Sequence, residues 1–133
     1  PPVDVWNGMA AMRQEAGGSV RDQLSLGQTA RECKRVNGQV VVKVGAEVRA
    51  LLGPAGRPGT FPVPLRFVVK RGAKVVASRL QRASVTIPAN DTQATIVMIE
   101  DNLPTEGTGD MEIQVGFDPS GRGAETAPRK RRR

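Results

Sequence analysis

The stretch Asn37–Leu52, NGQVVVKVGAEVRALL, decides the fold. Asn37-Gly38 is the residue pair that a two-residue hairpin turn selects, because both central positions of a type I′ turn need positive φ. Behind it, Val40, Val42, Val44, Ala46, Val48 and Ala50 share one parity, while Val41, Lys43, Gly45, Glu47 and Arg49 take the other. Alternation with a period of two marks a strand with one buried and one wet face. A hairpin is therefore expected here, with Gln39–Leu52 as its second arm.

Working toward the amino terminus, Ser19–Arg35 carries thinly spaced Val20, Leu24 and Leu26, and Gly27 and Thr29 favour an irregular strand over a helix. Asn7–Ala16 has helix formers but is cut off by Gly17-Gly18, so a turn or a weak strand is expected. The opening PPVDVW reads as a short extended piece, because two prolines withhold backbone donors.

Toward the carboxyl terminus, GPAGRPG at 53–59 is a loop by composition. Phe61, Val63, Leu65, Phe67 and Val69 then point one way, with Pro62, Pro64, Arg66, Val68 and Lys70 opposite. The two prolines place the first half of this strand at a sheet edge or outside the ladder. Phe67–Arg79, FVVKRGAKVVASR, sets four cations around Gly72 between apolar runs, which reads as a hairpin tip with solvated charges. The alternation changes after Leu80 toward Ala83, Val85 and Ile87, so a bulge is expected near Gln81. Pro88–Asp91 turns the chain, Thr92–Ile99 is a strand, Asp101–Gly109 a polar loop, and Met111, Ile113, Val115 and Phe117 are one face of the last strand.

About seven short strands joined by Gly, Pro and Asn turns describe an all-β, antiparallel two-layer sandwich of the immunoglobulin or fibronectin kind. It is expected to occupy residues 1–118. Residues 119–133, PSGRGAETAPRKRRR with Asp118 before them, contain no large apolar side chain, and the expectation is a disordered basic tail.

Composition narrows the function classes. The formal charge is +7, yet five of the twenty cations are Arg129, Lys130, Arg131, Arg132 and Arg133. The remaining fifteen stand against thirteen acids, so the body is at +2 and a basic groove for a duplex is not expected. The five terminal cations are the candidate polyanion-binding residues, for anionic lipid headgroups, lipopolysaccharide phosphates or nucleic acid. Trp6, Phe61, Phe67 and Phe117 are the whole aromatic set, too sparse for base-stacking platforms.

The chain has no histidine, which removes histidine acid–base chemistry, the serine triad and His-containing zinc sites. Cys33 is the single cysteine, so neither an internal disulfide nor a multi-thiolate metal site can form, and it reads as a half-buried strand residue. Glu100-Asp101 point to opposite faces if extended, and Asp110 with Glu112 read as solvated. EGTGD at 106–110 lacks the ligand series of an EF-hand, and GPAGRPG is not followed by Gly-Lys-Ser/Thr. A protein without catalytic site, cofactor or metal is the expectation. No apolar run approaches the roughly 18 residues of a membrane-spanning helix. The chain opens at Pro1, and removal of a leader ahead of it is expected.

Pro2-Val3-x-Val5 followed by Ala10-Ala11, Arg31-x-Cys33 before a hairpin, the arm Val40–Ala50, and the succession FPVPLRFVVKRGAKVVASR…VTIP…DMEIQVGF resemble small envelope lipoproteins of alphaproteobacteria. The likeness covers roughly Pro2 to Phe117. It implies a periplasm-facing domain of unassigned function, held to the membrane by a lipidated cysteine if one lies upstream of Pro1, and otherwise free in the periplasm. The expected partner is another envelope protein, met by strand addition along the proline-free arm Gln39–Leu52 if that arm is outermost. Nucleic acid is not an expected partner on this reading.

Overall fold

The computed structural model describes residues 2–107 and 110–123. Eight strands are present among them: β1 (Val3–Val5), β2 (Ala11–Ala16), β3 (Ser19–Val36), β4 (Gln39–Leu52), β5 (Gly59–Arg71), β6 (Lys74–Ile87), β7 (Gln93–Pro104) and β8 (Glu112–Phe117). They form two four-stranded sheets packed face to face, β1-β8-β5-β6 and β2-β3-β4-β7. Seven strands and fully antiparallel pairing were expected. The eighth strand is β2, closed onto β3 by Gly17 and Gly18 at positive φ, and β1 runs parallel to β8.

The hairpin at Asn37-Gly38 forms as the sequence requires, with both residues at positive φ and Val36 opposite Gln39. Its arms fix the core. Val42, Val44, Ala46, Val48 and Ala50 of β4 meet Val63, Leu65, Phe67 and Val69 of β5, and Ile113, Val115 and Phe117 of β8 complete the layer. β3 is irregular where glycine said it would be. Leu26 pairs with Val48 and Thr29 with Ala46, so Gly27-Gln28 bulge out, and the Gln28 amide donates to the Glu47 carboxylate at 3.3 Å.

Three expectations about the strands are corrected. The bulge of β6 lies not at Gln81 but at Val76, between the pairs Val69–Ala77 and Lys70–Val75. Gln81 and Arg79 keep the core-facing parity and reach across the sheet margin, Gln81 to the Ile99 carbonyl and Arg79 to Glu100. β7 continues through Pro104 rather than ending at Ile99, because the ladder shifts past Asp101 and Asn102 and returns Leu103 to the core opposite Val42. Arg66 and Val68 are buried although their parity faces away from the core. A 3-10 turn at Trp6–Gly8 lies against β8 and β5 on that face and covers them, with the Arg66 guanidinium 6.0 Å from the centre of the Trp6 ring.

Gly116 makes this cover possible: a Cβ there would stand 2.5 Å from the Trp6 carbonyl oxygen. On the same face Asp118 accepts from Arg66 Nε at 2.7 Å and from the Gly123 amide at 2.9 Å. Arg66 also donates to Ser78 and to the Gly121 carbonyl. Pro119–Gly123, grouped with the tail by composition, thereby form a turn held on the sheet; residues 124–133 lie outside the described residues.

Candidate functional site

Arg129, Lys130, Arg131, Arg132 and Arg133 lie outside the described residues. At the basic hairpin tip around Gly72, expected to carry solvated charges, the Lys74 side chain is 68% exposed, but two of the cations are also tied to the neighbouring loop. Arg71 donates to the carbonyls of Thr105, Gly107 and Asp110, and Lys74 pairs with Glu106 at 3.0 Å. Thr105 is fully buried and donates its hydroxyl toward the Val40 and Gly107 carbonyls. These contacts tie the loop after β7 to the tip, so Arg71 and Lys74 have a structural task.

The carboxylates do not converge. Glu100 is held by Arg79 and Gln81, Asp101 by Lys34 at 2.9 Å, and Glu112 accepts from Gln114. The hydrogen bond and then the charge of Lys34 hold Asp101 below its ordinary carboxylate range. Among the described residues no group of three or more His, Cys, Asp or Glu is placed to hold a metal ion. Cys33 is exposed rather than half-buried. It stands opposite buried Val42, but residues 27–36 of β3 are exposed on both faces apart from half-buried Lys34, and Arg31 lies beside its sulfur.

The open sheet margin lies at β7. The expected docking edge, Gln39–Leu52, is not outermost: β4 is paired with β3 on one side and β7 on the other. β7 is the edge of its sheet. The Leu52 amide donates to the Thr92 carbonyl, so Ala94, Ile96, Met98 and Glu100 direct their backbone groups to β4. By the ladder's alternation, Gln93, Thr95, Val97 and Ile99 direct theirs outward. The Gln81 side chain, donating to the Ile99 carbonyl at 2.7 Å, occupies one outward position; 93–97 carry no such cap among the described residues.

The side chains beside this edge are apolar. Val97 is 64% exposed and Ile99 49%. They stand opposite Glu47 and Gly45, and the absent side chain of Gly45 next to Ala30 leaves a shallow hollow of about 320 Å³ against them. Natural edges are usually blunted by proline, lysine or a bulge. QATIVMI, residues 93–99, has none of these, whereas the open half of β5 has Pro62 and Pro64. Compared with protein-family models, with curated proteins and with solved structures, the chain matches none.

Proposed function

We propose that the chain is a non-enzymatic, periplasm-facing β-sandwich module that binds another envelope protein by adding that partner's strand to β7. The observation that carries this reading is the uncapped edge Gln93–Val97, beside exposed Val97 and Ile99. Main-chain pairing supplies affinity and the alternate side chains supply selectivity, so no catalytic residue types are needed. The envelope location rests on the resemblance to alphaproteobacterial lipoproteins, as does a lipid anchor upstream of Pro1.

Kinship with immunoglobulin-like and fibronectin-like sandwiches belongs to the same proposal. It is supported by two interlocked pairings three strands apart, β4 with β7 and β5 with β8, in opposite sheets. In immunoglobulin-type sandwiches strands B and E, and C and F, lie three apart in the chain and in opposite sheets in the same way.

Val97→Pro tests the edge. The Val97 amide faces outward, so proline there removes an edge donor while leaving the β4 ladder intact. With a photo-crosslinker at Thr95, the wild-type chain in envelope membranes is expected to trap a discrete partner, and Val97→Pro to lose it while remaining folded. An undiminished crosslink in Val97→Pro overturns the strand-addition reading.

A further inference from the structure

Asp22 stands on the core-facing parity of β3, next to Leu24, where alternation calls for an apolar side chain. Its side chain is 6% exposed, and its Oδ2 accepts one hydrogen bond, from Arg21 Nε at 3.0 Å. Arg21 is half in solvent. No other side-chain hydrogen bond to this carboxylate is formed among the described residues. An ionised carboxylate offers about four acceptor positions, and leaving them empty away from bulk water is costly. Oδ1 is thus an acceptor in want of a donor.

The donor has a place to enter. β8 ends at Phe117 opposite Leu65 and the Asp118 amide reaches the Pro64 carbonyl, so residues 59–63 of β5 have no strand neighbour on that side, and a gap opens there between β5 and β2. A cleft of about 260 Å³ lies there, walled by Met12, Gln14, Leu24, Phe61 and Pro62 with Arg21 and Asp22 in its lining. A second hollow of about 240 Å³ shares Met12, Gln14 and Pro62 and leads past Pro64 to Arg82.

The geometry points to a binding site for the ω-cation of a lysine or arginine side chain carried by an extended peptide. The stem lies on Met12, Leu24 and Phe61, and the charged head donates to Oδ1 of Asp22 while Arg21 keeps Oδ2. The volume is below the roughly 300–1,000 Å³ that holds a drug-sized ligand or cofactor. It suits a single long side chain with an apolar stem and a cationic tip. An anion would meet the carboxylate, and a purely apolar side chain would leave it stranded. Pro62 and Pro64 offer no amide donors on the open edge of β5, so the peptide docks here through its side chain. The site is independent of the β7 edge, and either can fail without the other.

The test is an NMR titration of the ¹⁵N-labelled chain with N-acetyl-lysine N-methylamide and, in parallel, its norleucine counterpart, which has the stem without the charge. The lysine probe is expected to shift Met12, Asp22, Leu24 and Phe61 saturably, with the norleucine probe at least tenfold weaker. Asp22→Asn should lose at least tenfold in lysine affinity. Arg21→Gln removes the competing cation and should tighten the lysine probe, a gain that mere destabilisation would not produce. Equal shifts from both probes, or unchanged affinity in Asp22→Asn, overturn the proposal. Binding that emerges only after deletion of residues 129–133 also overturns it, by making the chain's own cations the occupant.

Discussion

Removing both partners of the Arg66–Asp118 pair should cost the fold about as much as removing either one alone, not the sum of the two. The pair is nearly dry, with side-chain exposures of 10% and 4%, and the Nε–Oδ2 distance is 2.7 Å. Asp118→Ala leaves a buried guanidinium with Ser78 and the Gly121 carbonyl but no counter-charge, which costs about 3–5 kcal/mol. Arg66→Met leaves a buried carboxylate with the Gly121 and Gly123 amides and Ser120, and costs about 3 kcal/mol. In the double variant neither charge is stranded. With a coupling of about 2–3 kcal/mol, it should cost about as much as one single variant.

Urea denaturation at neutral pH, followed by far-ultraviolet circular dichroism, reads the three differences. Additivity within about 0.5 kcal/mol would refute the reasoning. Acid supplies a second arm. Burial pushes the Asp118 carboxyl up, but hydrogen bonds from Arg66 and the Gly123 amide, with the Arg66 charge and Ser120, more than offset it and leave it below the ordinary 3.8. The unfolded chain therefore takes up this proton first. The contribution of the pair is full above about pH 4 and is lost as pH falls through the native-state value, so the gap between wild type and Arg66→Met should narrow there.

Three further outcomes follow from particular contacts. Gly116→Ala drives a Cβ toward the Trp6 carbonyl oxygen and should lift the Trp6–Gly8 turn, costing about 1–3 kcal/mol, read by a red-shifted tryptophan emission; an unshifted emission would count against the cover. Phe67→Ala empties the centre of the core and should cost about 3–5 kcal/mol in the same urea assay. Deleting residues 129–133 should reduce binding to anionic liposomes if those cations serve as a polyanion site, and unchanged binding would dispose of that role.

The parts of the fold that strand parity governs were legible in the sequence. The Asn37-Gly38 turn, the buried face of β4, the inward face of β5 and the irregularity of β3 at Gly27 each follow from one local rule acting over a few residues. What was not legible depends on which element lies across from which. Arg66 and Val68 read as a wet face until the Trp6 turn is seen to cover them, and Gly116 was the available signal, a glycine inside a strand marking a close backbone approach. Cys33 reads as half-buried because free cysteine behaves as a small apolar strand residue, yet the second half of β3 is exposed on both faces.

The candidate surfaces were less legible than the core. Whether β4 or β7 is the edge depends on long-range pairing, which alternation does not encode. Asp22 carried a signal that was passed over, a charge on the apolar parity of Leu24. Its meaning needed the gap left where β8 stops short of β5's first half.

Amide hydrogen exchange along β7 tests the open edge most directly. The account predicts alternation: slow exchange at Ala94, Ile96, Met98 and Glu100, whose amides bond β4, and fast exchange at Gln93, Thr95 and Val97, whose amides face outward. Uniform protection along residues 93–98 would mean that the edge is already covered, and would contradict the account.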